Sequence, residues 1–270
     1  MEVVFVKLGG SLITDKTREA TPRLDVIGRL AEELRAALDA SPGLRLVLGH
    51  GSGSFGHFAA RRYGVHAGLA GQPDWMGMAQ TSAAAARLNR LVADACLQAG
   101  VPAISFQPSA SALRKQGILA QMAVEPVAAA LARGLVPLVY GDVAFDADQG
   151  TAIISTEDIF LYLADRIVPT RVLMLGVVDG IYDADPLRNP HSRRLTAITP
   201  ETVERIRAGL GGSHGIDVTG GMLGKVSTLL PLLDKHPGVE VHFFSGQVPG
   251  RLRDALLGGG GSFGTVLRAG

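Results

Sequence analysis

The sequence predicts an α/β protein, because short apolar runs of strand length alternate with longer stretches of helical spacing, and because glycine and proline mark the joints between them. The runs are VVFV at 3–6, LRLVLG at 44–49, VPAISF at 101–106, LVPLVY at 135–140, RVLMLG at 171–176 and VEVHFF at 239–244. Each is mostly apolar, without regular polar alternation, as suits strands of a parallel sheet covered on both faces.

Taken in order, VVFV leads through Lys7 into Gly9, Gly10 and Ser11, a strand that ends in a glycine turn. DVIGRLAEELRAALDA at 25–40 has helical spacing, and SPG at 41–43 ends that helix and feeds the second strand. The Ala-rich segment around Cys96 reads as a helix with a buried face, closed by AGVP at 99–102. RGLVP at 133–137 joins a further helix end to LVPLVY. GGGGSFG at 258–264 reads as a turn before a last strand, TVLR at 265–268.

A chain of 270 residues is long enough for one large α/β domain or two small ones, either with a sizeable core. Basic side chains number 26 and acidic ones 25, so no global field attracts nucleic acid or an anionic membrane, and any anion must be bound locally. The single cysteine rules out an intrachain disulfide framework and a cysteine metal cluster, which suits a reducing compartment. The first apolar run is too short for a signal peptide and none approaches a membrane span of about 20 residues. The expectation is a soluble cytoplasmic protein with no membrane partner. There is no internal repeat. ADPLRNPHSRR at 184–194 is the most linker-like segment, but one domain on a shared sheet is expected, with an acceptor-binding half at 1–170 and a nucleotide-binding half at 171–270. GLGGSHGIDVTGG at 209–221 is expected to form a mobile loop over a site.

Gly51, Gly53 and Gly56 follow the second strand with GxGxxG spacing. A dinucleotide fingerprint also needs an acid ending a second strand about 20 positions on. Asp74 is near that spacing but follows Gly71 and Pro73, in a turn, so this reading fails. DVTGGMLGKVS at 217–227 fails as a P-loop, since Thr219 and Val226 stand where glycine and a hydroxyl residue are required. What remains is a set of glycine-plus-cation elements: Lys7 to Ser11, Gly51 to His57, and Thr219 to Lys225. Glycines let backbone N–H groups approach phosphate oxygens, helix starts point positive ends at them, and lysines add mobile charge. Gathered at the carboxyl ends of parallel strands, these elements can hold a donor triphosphate and an acceptor anion in line.

KLGGS at 7–11, the central glycine loop, YGDV at 140–143, VVDGIYDADP at 177–186 and DVTGGMLGK at 217–225 resemble, in this order, the amino acid kinase superfamily. Within it, KLGGSLITDK with HGSGSFGH resembles the isopentenyl phosphate kinases, whose mark is a histidine closing the glycine loop, here His57. Ser52 replaces the usual Gly or Ala of that loop, and STED at 155–158 replaces a commoner Ser-Gly-Asp. The resemblance implies a three-layer α/β/α sandwich around a mostly parallel open sheet of about eight strands, a homodimer, ATP with Mg²⁺, and conversion of isopentenyl phosphate to isopentenyl diphosphate. Rival readings are a kinase of another small phosphate or phosphonate, such as fosfomycin, and a nucleotide-binding relative without turnover.

By the same resemblance Lys7, Lys16 and Lys225 neutralise charge on the transferred group, and Asp142, at a strand's carboxyl end, orients the lysines. ATP is bound by Lys7, Gly9, Gly10, Ser11, Gly53, Asp179, Gly221 and Lys225. The acceptor is bound by Ser52, Gly56, His57, Thr156, Glu157 and Asp158. The residues alone leave other readings open: solvated lysines, a helix-start cap at His57, turn chemistry at Asp142 and Asp179. His50 reads as structural. Trp75, Met76 and Met78 either line an apolar pocket for the prenyl chain or belong to the core. No metal cage is expected, magnesium being held by the ATP phosphates.

Overall fold

The computed structural model describes residues 2–65, 75–183, 191–209, 222–259 and 263–270, the side chains of 205–209 and 222–223 excepted. The first half runs β1 (Glu2–Leu8), α1 (Gly10–Ile13), α2 (Leu24–Ala40), β2 (Leu44–His50), α3 (Gly53–Arg62), α4 (Trp75–Gln98), β3 (Ala103–Ser105), β4 (Leu113–Lys115), β5 (Ile118–Gln121) and α5 (Glu125–Ala132). There follow β6 (Val136–Tyr140), β7 (Asp142–Asp146), β8 (Gly150–Ile154), α6 (Thr156–Ala164), β9 (Arg171–Gly176), β10 (Ile181–Tyr182), β11 (Arg194–Leu195) and β12 (Ala197–Ile198). The chain closes with α7 (Pro200–Gly209), α8 (Met222–Lys235), β13 (Glu240–Ser245), α9 (Arg251–Leu256) and β14 (Thr265–Leu267).

The main sheet has 8 strands in the order β12-β14-β13-β9-β1-β2-β6-β3. Every pairing in it is parallel except β13 with β14. The apolar runs of the sequence supply the contiguous block from β13 to β3, and TVLR supplies β14. Side-chain parity divides β1 between two cores. Val3 and Phe5 pack on one face with Ile159, Phe160 and Leu163 of α6 and Leu229 and Leu232 of α8. Val4, Val6 and Leu8 pack on the other with Ile27, Leu30 and Leu34 of α2 and Leu88 and Val92 of α4. Helices therefore cover both faces, which is the α/β/α sandwich expected.

Helix α2 shows how local sequence produces this. Ile27, Leu30, Ala31, Leu34 and Ala37 recur at helical spacing and are the buried apolar positions of the helix. Cys96 is likewise buried, on α4, and burial pushes its thiol up to about 12, so it packs as a small apolar group. Strands from 1–170 lie to one side of the β1–β9 boundary and strands from 171–270 to the other. Between β1 and β9 the strand order reverses direction, the place where open α/β sheets hold ligands at the carboxyl ends of their strands.

A second sheet of 4 strands, β5-β4-β7-β8, is not foreshadowed by the apolar runs. Its strands are short hairpins. Gln116 and Gly117, both at positive φ, turn β4 into β5, as a two-residue hairpin loop requires. The flanks of the linker-like segment also pair: β10 and β11 are antiparallel, and the Asp183 amide donates to Arg193 O at 3.0 Å. The chain therefore leaves and returns at one place there. Residues 184–190, and the loop expected at 209–221 beyond Gly209, lie outside the described residues. No helix among the described residues is long and apolar enough to cross a membrane.

Candidate active site

Lys7 shares the parity of Val3 and Phe5, so its side chain leaves β1 on the α6 side of the sheet. There it forms a buried ion pair with Glu157, in the first turn of α6. Burial raises the Glu157 carboxyl, but the Lys7 ammonium, with Lys225 adding to it, outweighs burial and holds the group below its ordinary value. The carboxylate paired with Lys7 is thus Glu157. Asp142 accepts instead from the backbone amides of Val143 at 2.8 Å and Ser109 at 3.2 Å, and its burial pushes its carboxyl up.

After β1 the chain turns at Gly9, whose amide donates to Leu175 O of β9 at 2.8 Å. The next glycine explains why the first two loops belong together. A Cβ on Gly10 would stand 2.7 Å from the backbone of Gly53, and Gly53 itself has φ +52°. Only glycine at both positions allows this approach. The loops are then pinned by Thr14, which is fully buried: its hydroxyl donates to Gly10 O at 2.6 Å and accepts from the Ser54 amide at 2.9 Å. Ser52 lies over Gly56, where any Cβ would collide with its side chain. Neither Gly9 nor Ser52 caps its helix with a side chain. The Ser54 amide is taken by Thr14 and the Phe55 and Gly56 amides by Ser52 O, so the amides these helix starts offer a further acceptor are those of Gly10, Ser11 and Gly53.

These elements surround a cavity of about 570 Å³. Its walls bring together Lys7, Gly9, Gly10, Ser11, Lys16, Ser52, Gly53, Gly56, His57, Asp142 and Lys225 from β1, both glycine loops, β7 and α8. Thr156, Glu157, Asp158 and Asp179 are not among the lining residues. The Thr156 hydroxyl donates to His50 O at 2.7 Å. Asp158 closes a capping box with Ser155 at the start of α6. Asp179 accepts from Arg194 at 2.8 Å and pairs with Arg251, tying the carboxyl ends of β9 and β13 to the β11 hairpin. Gly221, with Asp74 and Asp185, lies outside the described residues.

His50 and His57 end the same loop in opposite environments. His50 is fully buried, stacks on Tyr140 with centroids 5.6 Å apart, and faces Asn89 Oδ1 at 3.2 Å and Gly51 O at 3.1 Å. Burial pushes its pKa down to about 4, so the neutral ring donates to one of those two acceptors. His57 is exposed on the cavity wall.

Beside this cavity, next to Asp142, is an apolar pocket of about 460 Å³ lined by Trp75, Met78, Ala79, Ser82, Ser109, Val143 and Phe145. The Trp75 and Phe145 rings pack together in its wall, with centroids 6.1 Å apart and planes tilted by 43°. Met78 is buried, whereas Met76 is 65% exposed and absent from the lining. Arg61, Thr81 and Ile153 also line the larger cavity, and Thr14 pins its loops, although no role for any of the four follows from a sequence motif. Arg61 carries a readable signal, one helical turn after His57. Thr81, Ile153 and Thr14 depend on which elements meet, which no local pattern states.

The model of the Amino acid kinase family matches residues 2–245 of this chain. The sequence is 36% identical over 263 residues to the isopentenyl phosphate kinase of Methanothermobacter thermautotrophicus, covering 95% of this chain and 96% of that protein. To the isopentenyl phosphate kinase of Thermoplasma acidophilum it is 31% identical over 267 residues, covering 98% and 100%. Among solved structures, one described as isopentenyl phosphate kinase by X-ray aligns with a TM-score of 0.82 at 32% identity, over 98% of this chain and 100% of that one.

Proposed function

Because the chain belongs to the amino acid kinase family, we propose that it is a phosphotransferase that moves the γ-phosphoryl group of ATP onto the phosphate of isopentenyl phosphate, releasing isopentenyl diphosphate and ADP. The observation that carries this reading is His57 on the wall of a lysine-rich cavity formed where two glycine loops meet.

An acceptor phosphate oxygen forms the new bond to the γ-phosphorus, and the bond between that phosphorus and the β,γ-bridging oxygen breaks. No general base is needed, because a phosphate monoester has a second pKa of about 6 and its oxygen is already a nucleophile at neutral pH. The protein's task is positioning and charge stabilisation. Lys7 and Lys225 face the transferred group, with Lys16 adding charge at the rim. Backbone amides of Gly9, Gly10, Ser11 and Gly53 receive phosphate oxygens of the donor, and Asp179 holds the nucleotide side in shape through its two arginines. His57 holds the acceptor phosphate, with Ser52 and Gly56 beneath it. Glu157 acts through Lys7, by fixing where that ammonium stands. The isopentenyl chain enters the apolar pocket of Trp75, Met78 and Phe145.

Magnesium enters with the nucleotide. Among the described residues no three His, Cys, Asp or Glu side chains cluster to hold a metal. Asp142, the carboxylate in the described lining, already accepts from two backbone amides. This donor set suits a cation whose main ligands are phosphate oxygens.

Incubation of the purified protein with Mg·ATP and isopentenyl phosphate, followed by ³¹P NMR, tests the reaction. Diphosphate resonances that grow in step with ADP are expected. ATP hydrolysis to inorganic phosphate, or no change, would sink the proposal. In the same assay Lys225→Ala is expected to lose most turnover while keeping the wild-type unfolding transition; unchanged turnover would remove Lys225 from the mechanism.

A further inference from the structure

Helix α3 turns one face to the cavity, and that face is made of Gly53, Gly56, His57, Ala60 and Arg61. The spacing is that of a single helical stripe. Three of its members are glycine or alanine, which leave room for a ligand, so His57 and Arg61 are its polar side chains. Their environments separate Arg61 from its neighbour. Arg62 points away and pairs with Glu19 at 2.7 Å. Arg61 makes no hydrogen bond or ion pair with any described residue, although a guanidinium carries five donors. Among the described residues no ion pair offsets this charge, and beside Lys7, Lys16 and Lys225 it is repelled until an anion arrives.

We propose that Arg61 is a second ligand of the acceptor phosphate and, with His57, sets the preference for a dianionic acceptor. The inference rests on the acceptor reading of the His57 side of this cavity. Helical side chains lean toward the N-terminus, so Arg61 reaches back over the turn that carries His57. Its planar fork matches two oxygens of one phosphate, which leaves the third free to attack the γ-phosphorus. A hydroxyl acceptor offers no such pair of oxygens. Lysine keeps the charge but not the fork.

The test is steady-state kinetics and calorimetric binding of isopentenyl phosphate for the wild type, Arg61→Ala, Arg61→Lys and Arg62→Ala. Charge-assisted hydrogen bonds of this kind correspond to a rise of about 10- to 100-fold in KM and Kd for isopentenyl phosphate in Arg61→Ala. KM for ATP and kcat should stay within about twofold, Arg61→Lys should recover part of the loss, and Arg62→Ala should match the wild type, since an exposed ion pair contributes little. Arg61 is exposed, so an unchanged melting temperature is expected to accompany these effects. Wild-type values in Arg61→Ala, or equal losses in Arg61→Ala and Arg62→Ala, would overturn the assignment alone. A wild-type protein that neither binds nor converts isopentenyl phosphate would overturn the acceptor reading and Arg61 with it.

Discussion

At His50 the imidazole is enclosed between Tyr140, Asn89 and the backbone of the glycine loop, and burial holds its pKa near 4. The unfolded chain binds this proton from about pH 6.5 downward, so between those values the unfolded state carries more protons. Stability from this group is complete above about pH 6.5 and is lost as pH falls toward 4, by on the order of 3 kcal/mol. Denaturant midpoints across that range should therefore fall more steeply for the wild type than for His50→Gln. Parallel profiles would contradict the burial argument. His57 behaves differently because it faces the cavity. His57→Ala should mainly raise KM for isopentenyl phosphate, with His57→Gln retaining some activity, and equal constants in all three proteins would remove its role. Glu157→Gln leaves the Lys7 ammonium buried without its partner, a change that costs about 3 kcal/mol or more in such pairs. Its unfolding midpoint and turnover should fall together.

At the scale of elements, two glycines in helices give opposite expectations. Gly53 stands at φ +52° with Thr14 against the place of its Cβ, so Gly53→Ala should lower both stability and turnover by separating the two loops. Gly28, inside α2, has nothing within 4 Å of an added Cβ, and Gly28→Ala should raise stability by about 0.5–1 kcal/mol. Thermal unfolding of the two variants separates them; a shift in the same direction would show that loop contact does not decide the outcome. The parallel strands of the central block were legible because each is a mostly apolar run near glycine or proline joints. Strands β4, β5, β7 and β8 were not, because they are short hairpin strands with Phe145, Leu113 and Ile118 exposed, and no continuous apolar run marks them. Helix α3 was legible as a glycine loop, and Arg61 is visible one helical turn after His57, but its place in the site becomes clear only once the stripe from Gly53 onward faces a cavity.

At the scale of the molecule, the order of strands explains why distant glycine elements meet. β1 sits between β2 and β9, so Lys7, the loop after β1 and the loop after β2 emerge side by side at the carboxyl edge, and α8 brings Lys225 to them. The sequence shows the glycines and lysines in order along the chain, and the resemblance to amino acid kinases adds their expected roles. Their convergence comes from the sheet, and Glu157 finds Lys7 only through the packing of α6 on β1. The acceptor-binding and nucleotide-binding halves we propose then correspond to the strands on either side of the β1–β9 boundary, with transfer across it. The most direct test compares kcat/KM for isopentenyl phosphate with dimethylallyl phosphate, fosfomycin, acetylglutamate and uridylate under Mg·ATP. The highest value for isopentenyl phosphate is predicted. A higher value for acetylglutamate or uridylate, with the prenyl phosphates inert, would keep the kinase fold and contradict the acceptor site built around His57.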